Sequence, residues 1–138
     1  MMAKKRIQDS RRASEFYVAS QLSRLGYIVT LTSGQTKKID LIVTHPDGRK
    51  ITIDVKGLKN KTNWPIQLKY IREDHFFILV SYLSKFEYLS LSPEIFVIPS
   101  MQMKSLLGNW SGKPMVEAIG YSTVRNSKFK DAWNLLFA

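Results

Sequence analysis

The stretch Ile39-Asp40-Leu41-Ile42-Val43-Thr44-His45-Pro46-Asp47-Gly48-Arg49-Lys50-Ile51-Thr52-Ile53-Asp54-Val55-Lys56 decides how this chain is read. Two runs rich in β-branched residues, 39–45 and 50–56, flank Pro46-Asp47-Gly48-Arg49, the pattern of a β-hairpin. In the second run Ile51, Ile53 and Val55 alternate with Thr52, Asp54 and Lys56, so Asp54 and Lys56 fall on one face of the strand. Register then rests on the turn. A three-residue loop, Pro46-Asp47-Gly48, sets Asp40 opposite Asp54, with Pro46 at the first central position of a type I turn and Gly48 left-handed. A two-residue Asp47-Gly48 loop sets Leu41 against Asp54 and separates the carboxylates. Turn chemistry favours the longer loop: proline pre-sets φ where the turn needs it, and glycine takes a positive φ without strain.

Before the hairpin, residues from about Gln8 to Leu25 carry Phe16, Val18, Ala19, Leu22 and Leu25 as an apolar stripe, and Gly26 supplies a helix stop. Glu15 lies three, four and seven positions before Val18, Ala19 and Leu22, which turns it towards the buried side. A carboxylate there needs a cation or a donor, or must snorkel to solvent at the stripe's edge. Tyr27 to Thr32 reads as a strand, and Ser33 to Lys38 as a polar connection.

After the hairpin comes a basic polar stretch, Lys59 to Asn63. Trp64 beside it reads either as a stacking surface for a sugar or base, or as a core residue. Strands are expected near 76–83, 95–98 and 116–121, and a short helix after Ser100. The spacing of Phe129, Trp133, Leu136 and Phe137 predicts a closing helix over about 128–137, capped by Ser127. Met101, Met103, Trp110 and Met115 read as core or gap-filling residues. No repeat or linker interrupts the 138 residues, so one domain, 1–138, is expected.

Charge gives the first functional indication. Lys and Arg number 21 against 11 Asp and Glu, a net +10. Residues 1–72 hold 15 basic and 5 acidic side chains, so the whole excess sits in that half. Such asymmetry fits nucleic acid or another acidic surface better than a general solubility charge, although a solvated basic face has the same composition. Arg11, Arg12, Lys37, Lys38, Lys59 and Lys61 are the candidates for gripping a phosphate backbone.

The absence of cysteine excludes disulfides, thiolate zinc sites and Cys nucleophiles. With only His45 and His75 present, both read as structural, a bound metal is expected to be Mg²⁺ or Mn²⁺ on oxygen ligands. The longest apolar run, Phe76 to Val80, is far short of the ~20 residues that span a bilayer, and the basic start has no apolar stretch behind it. No membrane insertion and a cytoplasmic location are therefore expected.

Glu15, Asp40, Asp54 and Lys56 together have the composition of a phosphodiester-cleaving site. Carboxylates can hold a divalent cation that neutralises charge growing on the phosphate, and a lysine on the same face can orient the attacking water or stabilise the transition state. An acid-x-Lys triplet alone arises by chance about once in a chain this long. The plainer reading makes Asp54 and Lys56 a surface pair and Asp40 a strand cap.

The order Glu15, then Ile39-Asp40-Leu41-Ile42-Val43, then Ile53-Asp54-Val55-Lys56, resembles the PD-(D/E)xK nuclease superfamily. The run Arg11-Arg12-Ala13-Ser14-Glu15, with Ser33-Gly34 before Asp40, further resembles archaeal-type Holliday junction resolvases; the likeness covers roughly residues 8–60. Ile39 stands where the superfamily's name has proline. The resemblance implies an α/β, restriction-endonuclease-like fold, with a central mixed β-sheet and helices on both sides. It implies that Asp40, Asp54, the Val55 carbonyl and Glu15 hold the metal, with Glu15 assisting from its helix, that Lys56 is the catalytic lysine, and that Ser33 lies near the scissile strand. The expected activity is a Mg²⁺- or Mn²⁺-dependent endonuclease on DNA, with branched or junction DNA among its substrates, acting as a homodimer or in two binding events. Two further classes stay open: a non-catalytic nucleic-acid-binding module on the same fold, and a basic protein that meets an acidic protein partner.

Overall fold

The computed structural model describes residues 8–32, 39–67, 71–109 and 116–138. Helix α1 (Gln8–Arg24) leads into strands β1 (Ile28–Leu31), β2 (Leu41–Thr44) and β3 (Lys50–Leu58). Strands β4 (Asn63–Gln67), β5 (His75–Ser81) and β6 (Glu94–Pro99) follow, then a 3₁₀ helix (Ser100–Leu106). Strands β7 (Gly108–Asn109) and β8 (Val116–Gly120), helix α2 (Tyr121–Val124) and a 3₁₀ turn (Trp133–Leu135) complete the chain. Among the described residues no helix is long and apolar enough to cross a membrane.

Gly26 ends α1 as the sequence predicts. Its φ is +91°, its N–H donates to Ser23 O at 3.0 Å, and the Tyr27 N–H reaches back to Leu22 O at 3.3 Å, so the last carbonyls of the helix are satisfied. The buried face of α1 differs from the expected stripe. Ser14, Glu15, Val18, Ala19 and Leu22 are buried, whereas Phe16 and Leu25 stand more than half exposed. A helix packed across strands buries one narrow face, and Phe16 and Leu25 lie off it. Phe16 sits instead beneath the Arg12 guanidinium.

The main sheet runs β1-β2-β3-β5-β6, with β3 and β5 parallel and every other neighbour antiparallel. The fold is thus α/β with a mixed central sheet. The β2–β3 turn is the three-residue loop. His45 N–H bonds Arg49 O at 2.8 Å, Gly48 N–H bonds His45 O at 2.8 Å, Gly48 has φ +98°, and the pairing Leu41↔Ile53 carries Asp40 opposite Asp54. Asp47 holds the turn by accepting the Arg49 N–H. His45 packs there between Tyr27 and Phe137, in a structural role.

Strand β5 is buried along its whole length, because both faces of the sheet are covered. On one face α1 closes over Leu41, Val43, Ile51, Ile53, Val55, Ile78 and Val80. The other face is not mainly helical, contrary to the expectation of helices on both sides. A three-stranded sheet, β4-β8-β7, lies on that side with α2 and the 3₁₀ helix, around Trp64, Ile66, Phe77, Leu79, Phe96 and Ile98. Trp64 is therefore a core residue, 1% exposed, and no stacking surface. Met103 joins this core, while Met101 faces solvent; Trp110 and Met115 lie outside the described residues.

The closing helix does not form. Phe129 O accepts the Val97 N–H, and the Asp131 N–H donates to Ile95 O, so this segment runs along the free edge of β6. Phe129 then enters the core around Trp64, and Ala132 and Leu136 enter the core beneath α1. A single helix face cannot serve two cores on opposite sides of a sheet, and the chain turns between them at Asp131, φ +52°.

Candidate active site

The alternation of β3 puts Ile51, Ile53 and Val55 under α1 and leaves Thr52, Asp54 and Lys56 on the opposite face, beside Phe77 and Leu79 of β5. Asp54 is 4% exposed. The Lys56 Nζ lies 3.2 Å from Asp54 Oδ2. The two form a buried ion pair, with Oδ2 held by charge. Burial, partly offset by Lys56 and reinforced by the neighbouring Asp40 carboxyl, pushes the Asp54 pKa up to about 7. The plainer reading of Asp54 and Lys56 as a surface pair is excluded by this burial.

Asp40 is fixed just ahead of β2. Its N–H donates to Ile53 O at 2.8 Å, its carbonyl accepts the Thr32 N–H at 3.0 Å, and its Oδ2 accepts the Val55 N–H at 2.8 Å. What the structure records of Val55 towards Asp40 is thus its N–H. Glu15 is 7% exposed. Burial raises its pKa, Asp40 adds to that, and Arg12 and Arg11 oppose it; the Arg12 Nη1 stands 3.8 Å away. Snorkelling is excluded.

The four predicted residues form a chain rather than one ring. Asp40 acts on both Glu15 and Asp54, whereas the charges acting on Asp54 are Lys56 and Asp40. Among the described residues no three His, Asp or Glu side chains are gathered to hold a metal. The Asp40–Asp54 pair is a two-carboxylate donor set, with Asp54 Oδ2 facing the Lys56 ammonium. Mg²⁺ suits such a set, since it commonly takes one or two carboxylates and fills its remaining positions with water and substrate phosphate.

Of the predicted backbone-gripping residues, Arg11, Arg12 and Lys61 are exposed, and the half-buried Lys59 holds its Nζ 5.0 Å from the centre of the Phe86 ring. Ser33, Lys37 and Lys38 lie outside the described residues.

Gly57 and Ser14, which sequence reasoning missed, seat α1. A Cβ on Gly57 would fall 2.2 Å from Ser14 Oγ and 2.9 Å from Ser10 O. Ser14 Oγ donates to Ser10 O at 2.5 Å and lies 3.1 Å from the Tyr82 hydroxyl. This close contact brings Glu15 towards Asp40. The signal was present as a glycine directly after Asp54-Val55-Lys56 and a serine directly before Glu15.

Three buried side-chain polar atoms among the described residues lack a hydrogen-bond partner: Asp54 Oδ2, His75 Nε2 and Trp64 Nε1. All belong to the side of the sheet that faces away from α1. No protein-family model matches this chain, and a search of curated proteins finds no match either.

Proposed function

We propose that this protein is a metal-dependent endonuclease that hydrolyses DNA phosphodiester bonds, on a fold of the restriction-endonuclease-like class. The observation that carries the reading is Asp54: a buried carboxylate paired with the Lys56 ammonium at 3.2 Å and set beside a second carboxylate, with its pKa pushed up to about 7. An ordinary core position gains nothing from such an arrangement, because burying two charges costs several kcal/mol per ion, which their mutual attraction repays only in part. The mixed α/β sheet, the hairpin that opposes Asp40 to Asp54, and the basic first half are compatible with it.

Mg²⁺ or Mn²⁺, when bound by Asp40 and Asp54, supplies Lewis-acid stabilisation of the phosphate and lowers the pKa of bound water. The Val55 carbonyl, adjacent to both Asp54 and Lys56, completes the proposed ligand set. Lys56 lies beside Asp54 on the reacting face, where its ammonium orients the attacking water and offsets charge on the phosphoryl oxygens. Val55 N–H locks the Asp40 carboxylate in place. Glu15, its pKa raised by burial and by Asp40, stands at the Asp40 end of the site rather than against Asp54. Arg11, Arg12, Lys59 and Lys61, with Ser33, Lys37 and Lys38, supply contacts to the DNA.

The test is cleavage of supercoiled plasmid, linear duplex, single strand and a four-way junction by the wild type and Asp54→Asn, in Mg²⁺, Mn²⁺ or EDTA. Metal-dependent cutting that the variant loses is the expected result, and the preferred substrate names the structure recognised. A variant that still cuts removes Asp54 from the mechanism. Binding with no cutting in any metal favours the non-catalytic nucleic-acid-binding module instead.

A further inference from the structure

A cavity of about 620 Å³ opens between the β3–β4 turn and α2. It is lined by Lys61, Asn63, Tyr121, Arg125, Asn126 and Lys130, with Glu94 as its one acid. That acid is already matched: it accepts the Tyr121 hydroxyl, and Lys130 Nζ stands 2.9 Å from its Oε2. Burial alone would raise the Glu94 pKa, but the tyrosine and the lysine outweigh it and hold the group ionised. Lys61 adds to the field on Glu94, and the lining as a whole sets Lys61, Arg125 and Lys130 against that single acid, a net charge of +2. Its walls are tied together by Tyr121 N–H to Thr62 O at 2.8 Å and by the pairing of Asn63 with Gly120.

Two features identify the occupant. The volume far exceeds a lone phosphate, and Asn63 and Asn126 each offer paired donors and acceptors of the kind that meet a base edge. The wall formed by Lys61, Thr62 and Asn63 follows directly on β3, the strand that carries Asp54 and Lys56. We propose that this cavity is a second DNA-strand subsite, in which Lys61 and Arg125 hold a phosphate while Asn63 and Asn126 face its nucleoside. The inference rests on the nuclease reading for its substrate.

Binding of a fluorescent 24-base-pair duplex in EDTA, titrated across salt concentrations, tests it in an Asp54→Asn background. Adding Lys61→Gln and Arg125→Gln is expected to weaken binding about tenfold at 0.1 M salt and to flatten the log–log salt slope by about 0.9, the release expected for one neutralised phosphate. The charge-matched pair Arg24→Gln and Lys50→Gln, at the end of α1 and the start of β3, leaves the slope nearly unchanged. Near-ultraviolet circular dichroism checks that both double variants are folded. An unaltered slope, an equal loss in the control pair, or no binding by the parent overturns the subsite. Cleavage by the wild type is read separately: cutting with an unaltered slope refutes the subsite alone, and a flattened slope without cutting refutes the nuclease alone.

Discussion

The two faces of β3 are built from the same nine residues and do opposite things. Beneath α1, Ile51, Ile53 and Val55 are buried in an apolar layer whose members need only fit. On the other face Thr52 is paired to His75 at 2.7 Å, Asp54 is buried against the Lys56 ammonium, and Lys56 is partly open to solvent. Period-two geometry lets one strand anchor a core rigidly while it holds charge where a water-filled surface would dissipate it. The comparison also fixes what each face should lose when it is altered.

The largest effect belongs to Asp54. Asp54→Asn should reduce cleavage by a thousandfold or more, about 4 kcal/mol in the barrier, while making the protein more stable above neutrality. The sign follows from proton counting. Unfolded, the carboxyl loses its proton near 3.8; folded, it keeps it to about 7. Across that window the native state holds the extra proton, so stability falls as pH rises from about 4 to about 7. The neutral amide escapes this loss, and thermal unfolding at pH 8 should show Asp54→Asn above the wild type by about 1–3 kcal/mol, with the gap closing towards pH 4. Mg²⁺ at pH 8 should raise the wild-type midpoint and leave the variant's unchanged. A variant less stable than wild type at pH 8 would assign Asp54 a supporting role in the fold.

The apolar face answers differently. Ile53 is fully buried, and Ile53→Ala should cost about 2–5 kcal/mol by urea titration, through lost transfer energy and a residual cavity. No pH dependence should accompany it. Between these two, Gly57→Ala should cost about 1–3 kcal/mol and lower cleavage as well, because the new methyl pushes against Ser14 and the Ser10 carbonyl and lifts Glu15 away from Asp40. Adding Ser14→Ala should restore part of the stability and not all of it, since the Ser10 carbonyl still lies 2.9 Å from the methyl. Full recovery would show that the backbone contact is unimportant.

The hairpin was legible because its information is local. Pro46 and Gly48 specify the loop, the loop specifies the register, and the register sets Asp40 against Asp54. Glu15 was legible from helical spacing alone. Gly57 against Ser14 was not, since a close approach between elements leaves no periodicity in either. The C-terminal segment misled for a related reason: Phe129 and Leu136 have helical spacing yet enter different cores. Strand β4 could have been found. Trp64 and Ile66 alternate with exposed Asn63 and Pro65, and a proline suits the outer strand that β4 is. The basic residues beside it drew attention to charge and away from period.

The smallest expected effect separates the two polar partners on the chemical face. Thr52 and Asp54 share that face, but Thr52 is matched, its hydroxyl lying 2.7 Å from His75 Nδ1. His75 is held neutral: burial, with Arg72 and Lys56 adding to it, lowers its pKa to about 4. The unfolded histidine takes a proton near 6.5 while the folded one refuses it until about 4, so stability should fall as the pH drops through that window. This opposes the trend from Asp54 over the same range, and the two partly cancel in the wild type. Thr52→Val removes the bond to Nδ1 and leaves both ring nitrogens unmatched, a cost of about 1 kcal/mol at neutral pH. In Asp54→Asn the opposing trend is gone, so its unfolding midpoint should decline between pH 6.5 and 4 more steeply than in the wild type. A flat profile in Asp54→Asn would mean that His75 titrates freely, and that the chemical face is wetter than its burial indicates.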